Sequence, residues 1–354
     1  MKAAIALLAY ALTGPCAAQW LHEPTPHLPR LPSGKVDLGA PVPRTADGHP
    51  DLSGVWLLRL NPGYVANVAA DLAPNDVQAW AESLYRERSA RLGMDDPGTI
   101  GCQPMGPRYI TAGGGIALVK IVQAAGLIVL LYEDLTYRQI FMDGRKLPKD
   151  PLPDFMGYSV GHWDGDDLVV DSVGFKDATW LDFGGHPHTE ALRVTERYQR
   201  ISLGQMRRTI ELTDERTFAK PIVLHADMVL NPDTELLEAV CTETPRDQFS
   251  LIGRTAAERD VQIAPEKLAK YVGTYELEQA NVFGIKVLDV QLSNGQLYTD
   301  FNGKGHVPLE PLSETMFSPR VLGTYEFVVG GDGNAAYVLL HAVEGTYKAV
   351  RRKP

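Results

Sequence analysis

The stretch ALRVTERYQRISLGQMRRTIELTDERTFAKPIVLHADMVL, residues 191–230, alternates apolar and polar side chains in three runs. Such alternation is typical of strands with one buried face and one solvated face. It predicts strands over Ala191–Arg200, Met206–Leu212 and Ile222–Leu230. Because Ser202-Leu203-Gly204 leaves room only for a short turn, the first two strands must be antiparallel neighbours.

The same rhythm extends to both sides of this stretch. Further strands are predicted at Asp51–Leu60, Leu118–Val122, Gly126–Glu133, Tyr137–Met142, Gly157–Trp163, Leu168–Val173 and Leu236–Cys241. About nine antiparallel strands in up-and-down order hide their edges best by closing into a barrel, lipocalin-like in architecture, or by folding over as a sandwich. The sequence therefore predicts a mainly β protein, with the barrel favoured.

With 354 residues, the chain has room for about two domains. Seven prolines are spread over residues 19–50, and hairpin turns such as SNGQ and GGDGN recur near the end of the chain. The predicted divisions are a signal peptide at 1–18, a Pro-rich extended arm at 19–50, a main barrel-like β-domain at 51–250 with one helix near 73–92, a linker helix at 251–270 and a smaller accessory β-domain at 271–354.

The chain opens with MKAAIALLAYALTGPCAAQW, which has one Lys, an apolar run and small residues up to Ala18. That pattern is typical of a secretory signal peptide, and its apolar run is much shorter than the roughly 20 residues needed to cross a bilayer. We expect an exported protein, periplasmic or secreted, with no transmembrane segment. In an oxidising compartment Cys102 and Cys241 would form a disulfide, the alternative being two separate buried thiols.

The net charge of the chain indicates which kinds of binding partner to expect. The chain has 44 acidic against 34 basic side chains and a formal net charge of -10. A polyanion would be repelled on average, so nucleic-acid binding is not expected. A small-molecule ligand or substrate is the expected partner, and nothing in the sequence indicates the oligomeric state.

Two parts of the chain resemble known proteins. The tail with YVGTYEL, LSNGQLY, PLEPLSETMF and YEFVV resembles the small lipocalin-like accessory domain appended to secreted serine hydrolases of the β-lactamase type. This resemblance implies a fold and no chemistry, since the S-x-x-K and S/Y-D-N pattern of such hydrolases is missing from the sequence. The strings DGHPDLSGVW, GYSVGHWDGDDLVV and WLDFGGHPHTEALRVTERY resemble a broad set of uncharacterised exported bacterial proteins, which assigns no role to any residue.

The densest polar cluster lies in WLDFGGHPHTE, residues 180–190. Residues two apart in an extended chain share a face, so His186, His188 and Glu190 are predicted to point the same way. Continuing that parity gives Leu192, Val194, Glu196 and Tyr198, whereas the opposite parity holds Arg193, Thr195, Arg197 and Gln199. The histidine face is therefore predicted to be the interior one.

This face has three interpretations. His186, His188 and Glu190 could ligate a divalent metal such as Zn, Fe or Mn at the barrel mouth. Together with Asp182, the same groups could act as general acid and base without a metal. The third interpretation is a rigid loop whose imidazoles form hydrogen bonds to backbone carbonyls.

Substrate contacts are predicted on neighbouring strands. Met156, Tyr158, Val160 and His162 alternate, and their apolar majority predicts that His162 is buried. Arg138 shares its parity with Ile140 and Met142, and Tyr137 shares its parity with Gln139 and Phe141. Either set could face inward, with a surface position favoured for Arg138; an inward Arg could clamp a carboxylate or another anion. Tyr198 completes the set of predicted contacts.

These features predict an exported enzyme that acts on a small organic molecule or sugar derivative. His and carboxylate side chains would carry out hydrolysis, elimination or isomerisation, with or without a metal. The alternative is a periplasmic binding protein that holds an apolar ligand in the barrel without catalysis. A third possibility is a cell-envelope assembly module in which neither β-domain has a pocket.

Overall fold

The computed structural model describes residues 24–90, 95–112, 118–240, 261, 263–278, 285–319, 323–342 and 345–352. The predicted signal peptide, Cys241 and most of the predicted linker helix lie outside these residues. Within them the chain forms two closed β-barrels, a larger one followed by a smaller one. The predicted fold class, a mainly β protein with a barrel and a second β-domain, is confirmed.

Nine strands of the described chain close the first barrel. They are β1 (Gly54–Arg59), β2 (Leu118–Ala124), β3 (Leu127–Tyr132), β4 (Tyr137–Phe141), β5 (Tyr158–Asp164), β6 (Asp167–Val173), β7 (Arg193–Arg200), β8 (Gln205–Thr213) and β9 (Ile222–Leu230). The closing pair is β1 and β9, which places Trp56 opposite Leu230.

The second barrel contains the other eight described strands. They are β10 (Gly273–Leu277), β11 (Val287–Ser293), β12 (Gln296–Phe301), β13 (Lys304–Pro311), β14 (Met316–Ser318), β15 (Thr324–Val329), β16 (Ala335–Ala342) and β17 (Gly345–Arg351). The predicted SNGQ turn joins β11 to β12, where Asn294 and Gly295 both have positive φ, 49° and 77°. Two such residues fit the twist of a two-residue hairpin.

The described helices have 12 residues or fewer. They are α1 (Pro62–Ala66), α2 (Ala79–Ala90), α3 (Pro97–Ile100), α4 (Arg108–Thr111) and α5 (Pro265–Leu268), with 3-10 turns at Pro74–Asp76 and Ala269–Tyr271. The predicted helix at 73–92 is therefore a 3-10 turn followed by a shorter α-helix. Among the residues that the structure describes, no helix combines the length and apolar character that crossing a membrane requires.

The first barrel departs from the prediction in two places. Strands β4 and β5 are parallel, pairing Ile140 with Ser159, because a long connection rather than a hairpin joins them. The predicted strand Leu236–Cys241 is wrong over its described part, which has no regular structure. Strand β9 closes against β1 instead, and that pairing leaves no free edge for a further strand.

The Pro-rich arm lies across the end of the first barrel where β7 meets β8. Leu203 and Gly204 donate backbone hydrogen bonds to the carbonyls of Ala40 and Leu38, at 2.8 and 2.9 Å. Arg44 forms a two-pronged ion pair with Asp166, with N···O distances of 2.9 and 2.6 Å. The arm thus covers this end of the barrel.

The opposite end of the first barrel is covered by α1, α4 and the connection between β6 and β7. Helix α1 also contacts the second barrel: a Cβ on Gly63 would lie 2.6 Å from the backbone of Lys304. Ala66 belongs to the apolar core of the second barrel, and Phe183 packs against that core. The loop that carries the predicted histidine site is therefore next to the junction of the two barrels.

Candidate functional site

Asp182 and His186 form a buried pair in the loop between β6 and β7. The His186 Nδ1 and Asp182 Oδ2 atoms are 2.5 Å apart, and the side chains are 3% and 0% exposed. The carboxylate also accepts backbone N–H bonds from Val68, Gly185 and His186, at 2.7, 2.8 and 3.0 Å. Because the carboxylate accepts from Nδ1–H, the free lone pair of a neutral ring is on Nε2, the atom that could accept a proton.

Helix α2 holds this pair from the other side. The Tyr85 ring stacks on the His186 ring with centroids 3.7 Å apart, and Arg88 Nη1 donates to the Gly185 carbonyl at 3.1 Å. A Cβ on Gly184 would lie 2.3 Å from the Ala66 carbonyl oxygen. The two glycines of FGGH thus allow a close approach that larger residues would block. Burial and the charge of Asp182 raise the pKa of Tyr85, so its phenol stays neutral.

His188 is buried but uses both ring nitrogens. Its Nε2 lies 2.8 Å from Thr179 Oγ1, and its Nδ1 lies 3.0 Å from the Thr189 carbonyl oxygen. Burial lowers the pKa of His188, and the Thr189 carbonyl offsets only part of that effect. The ring is therefore neutral and occupied, which matches the interpretation of a rigid loop better than that of a catalytic group.

Glu190 does not join the two histidines. The prediction that it shares their interior face is wrong, because Glu190 is exposed at a turn that precedes β7. Alternation of faces holds only in extended chain, and this segment is not a strand. In the described part of the chain, no group of three or more His, Cys, Asp or Glu side chains is placed to hold a metal ion. The predicted ligand set His186, His188 and Glu190 thus does not converge on one point.

Two predicted substrate contacts lie on the outside of the barrel. His162 is exposed, and Tyr137 is 57% exposed. The predicted burial of His162 is wrong because β5 turns Ser159 inward, which places His162 on the opposite parity. The favoured surface position of Arg138 is wrong as well, since its side chain is 1% exposed.

Inside the first barrel, β4 to β8 bring together a polar cluster, called here the interior cluster. Its members are Arg138 on β4, Ser159 on β5, Ser172 on β6, Glu196 and Tyr198 on β7, and Arg208 on β8. Glu196 is ion-paired with both Arg138 and Arg208. All six side chains are buried, so the middle of this barrel is ionic rather than purely apolar.

The hydrogen bonds of the interior cluster are nearly complete. Arg138 Nε donates to Ser159 Oγ at 3.1 Å, and its Nη2 donates to Ser172 Oγ at 2.9 Å and to Glu196. The Tyr198 hydroxyl donates to Glu196 Oε1 at 2.6 Å. Arg138 Nη1 is buried and has no hydrogen-bond partner among the described residues.

Electrostatics keep the three ionic groups charged. Burial disfavours the carboxylate of Glu196, but attraction to Arg138 and Arg208 outweighs burial and lowers its pKa to about 2. Burial likewise acts to lower the pKa of each guanidinium, and its acidic neighbours more than compensate. Tyr132, on which the same charges act, has its pKa raised by burial to about 12 and is neutral.

Sequence reasoning found part of this cluster. The interior parity predicted for Glu196 and Tyr198 is confirmed by their burial. Arg208 was missed, although Met206, Arg208, Ile210 and Leu212 alternate and the same parity rule would have placed it inside. Ser159 and Ser172 carry no signal of their own, because small hydroxyl side chains occur on both faces of strands.

The predicted disulfide has one partner within the described residues. Cys102 lies between α3 and α4, whereas Cys241 lies outside the described ranges. The pairing therefore stays a prediction.

Comparison with known proteins adds no assignment. No known family model matches the chain, and no curated protein is similar to it at a significant level.

Proposed function

We propose that this protein binds a small organic molecule inside its first barrel. The observation that carries the proposal is the interior cluster, a set of convergent charged and hydroxyl groups in an otherwise apolar core. The apolar core of the same barrel includes buried aromatic and Met side chains, among them Trp56, Tyr132, Met206 and Met228. Ligand sites in proteins have this composition, an apolar lining with a few polar groups that orient the ligand.

Stability alone is a poor reason for such a cluster. Taking charges out of water is costly, and replacing a buried ion pair by apolar groups of similar volume is often neutral or stabilising. A functional use of the charges is the simpler account. The end of the barrel nearest Arg138 and Ser159 is covered by α4, whose Tyr109 packs on Tyr132 with ring centroids 4.5 Å apart. That cover would shield a bound ligand from water.

Binding can be tested with the neutral fluorescent probe N-phenyl-1-naphthylamine on the full-length mature protein. We expect the fluorescence emission of the probe to rise and shift to the blue as protein is added, and this change to saturate. Val170→Phe should weaken binding, because Val170 lies opposite Glu196 on β6 and is fully buried. Val338→Phe, the same change at a buried position of the second barrel, is the matched control. Equal binding by both variants would show that the probe binds elsewhere. Absence of probe binding by the wild type, together with an unchanged Tm in the presence of the small organic compounds named below, would refute the proposal.

Acid–base catalysis at Asp182 and His186 is the second candidate function. It is favoured by the 2.5 Å contact between His186 Nδ1 and Asp182 Oδ2, which orients the ring and leaves Nε2 as the proton acceptor. Hydrolysis of short p-nitrophenyl esters by the wild type, lost in His186→Gln and kept in His225→Gln, would support it. His225 is exposed on β9 and serves as the control. Equal rates in all three proteins would leave the pair with a structural role only.

We also propose that the protein is exported and that the second barrel is an accessory domain. The proposals rest on the amino-terminal pattern at 1–18 and on the resemblance of the tail to lipocalin-like accessory domains. Determining the first residue of the protein recovered from the periplasm or the medium tests export. Recovery of an uncleaved chain in the cytosol alone would refute it.

A further inference from the structure

The charges of the interior cluster do not cancel. Two guanidiniums, those of Arg138 and Arg208, share the single carboxylate of Glu196, so the cluster carries one excess positive charge. The two hydroxyl groups that bind Arg138 and the phenol of Tyr198 are neutral. An unpaired charge in a protein interior is expensive unless a counter-charge joins it.

Arg200 shows how a buried guanidinium is satisfied elsewhere in this barrel. It donates to three backbone carbonyls, those of Asp51, Ser202 and Leu203, at the end covered by the arm. Arg138 differs because its buried Nη1 group finds no partner within the part of the chain that the structure describes. The excess charge and the unpartnered donor are two separate observations. The charge belongs to the interior cluster as a whole, and the donor lies on Arg138, one of its two guanidiniums.

We infer that the ligand of the first barrel carries a carboxylate, which accepts hydrogen bonds from Arg138 Nη1 and neutralises the excess charge of the interior cluster. This inference rests on the proposed binding function. The remainder of the ligand is apolar, because the rest of this barrel core is made of aliphatic, aromatic and Met side chains. The ligand class is therefore a small amphipathic organic acid.

Matched acids and alcohols test the inference without any mutation. The pairs are hexanoate and 1-hexanol, decanoate and 1-decanol, and phenylacetate and 2-phenylethanol. Each is used at pH 7.5 to displace bound N-phenyl-1-naphthylamine and to raise the Tm of the probe-free protein. In at least one pair we expect the acid to act at a roughly tenfold lower concentration than its alcohol. Only the carboxylate of the acid offers a negatively charged hydrogen-bond acceptor.

The outcomes separate the inference from the proposed function. Equal potency of acid and alcohol in every pair, or probe binding that no acid reduces, would overturn the inference and leave the binding function standing. Absence of probe binding together with an unchanged Tm for all six compounds would remove both.

Variants then locate the carboxylate. Arg138→Met should reduce the potency of the acid about tenfold and leave that of the alcohol unchanged, because only the charged partner is lost. Arg138→Lys keeps the charge and should retain part of the preference for the acid, which covers the case in which the Met variant fails to fold. Arg207→Met is the control, since Arg207 is the neighbour of Arg208 on the outer face of β8. An undiminished acid preference in folded Arg138→Met would overturn the assignment to Arg138.

Discussion

At the scale of single residues, Glu196 is the acidic centre of the interior cluster. Its carboxylate accepts from two guanidiniums and one phenol, and it is 0% exposed. Removing the carboxylate leaves two buried positive charges without a counter-charge. The free energy lost in this way is larger than the difference in stability between the intact network and an apolar replacement of the whole network.

Replacing Glu196 by Leu should therefore lower the free energy of unfolding by about 3–5 kcal/mol. The reason is that Arg138 and Arg208 would remain buried and unpaired. Urea denaturation followed by circular dichroism measures the change. Glu211→Leu, on the exposed face of β8, is the control and should stay within about 0.5 kcal/mol of the wild type. Equal losses in the two variants would contradict a buried ionic network.

His188 should make stability depend on pH. Burial lowers the pKa of His188 in the folded state, so between that pKa and the unfolded value of about 6.5 only the unfolded chain takes up the proton. Stability is therefore full above pH 6.5 and is lost as pH falls through that value, by at most about 1.4 kcal/mol per pH unit for this group.

The measurement is the free energy of unfolding at pH 7.5 and at pH 5.5. His188→Gln should show a smaller loss than the wild type between these values. His225→Gln should behave as the wild type does, because that ring is exposed. An unchanged loss in His188→Gln would show that another group causes the pH dependence.

At the scale of elements, the docking of α2 on the loop between β6 and β7 decides the geometry of the Asp182–His186 pair. Gly185 has φ of 100°, and a Cβ there would lie 2.6 Å from Arg88 Cβ. Both the backbone conformation and the contact with the helix thus require glycine.

Gly185→Ala should destabilise the protein more than Gly144→Ala does, by about 1–3 kcal/mol. Gly144 also has positive φ, 80°, but a Cβ there meets nothing within 4 Å. The backbone strain is therefore similar in the two variants, and the difference reports the clash with α2. Thermal unfolding measures both. Equal shifts in Tm would show that α2 does not press on this loop.

At the scale of the whole molecule, ion pairs and close backbone contacts join the arm to the first barrel and α1 to the second barrel. The arm is tied to the first barrel by two-pronged ion pairs such as Arg30–Asp233, with N···O distances of 3.0 and 2.5 Å. Gly63 and Lys304 bring α1 onto the second barrel. A disulfide between Cys102 and Cys241 would add a covalent link across the first domain.

That disulfide is predicted to close a loop of 139 residues. In the chain-entropy model, its reduction should cost roughly 3–5 kcal/mol of stability. Peptide mapping of the exported protein without reductant should recover the two cysteine peptides joined. The double variant Cys102→Ser, Cys241→Ser should show no further loss on adding reductant. Recovery of two alkylated thiols from the unreduced protein would refute the pairing.

Local sequence determined the strands, the hairpins and much of the barrel. Alternation in β7 predicts the buried side of that strand, and Asn294-Gly295 predicts the hairpin between β11 and β12. Both features depend only on neighbouring residues. The interior positions of Glu196 and Tyr198 follow from the same rule.

Tertiary structure decided the rest. Arg138 is inside because Glu196, Ser159 and Ser172 arrive from other strands to meet it, and neither parity of β4 is apolar enough to show this beforehand. His162 and Glu190 are outside because the register of β5 and the turn before β7 are set by pairing and packing over long distances in the chain. A buried charge is favourable only when partners far apart in sequence surround it, and alternation along a single strand does not carry that information.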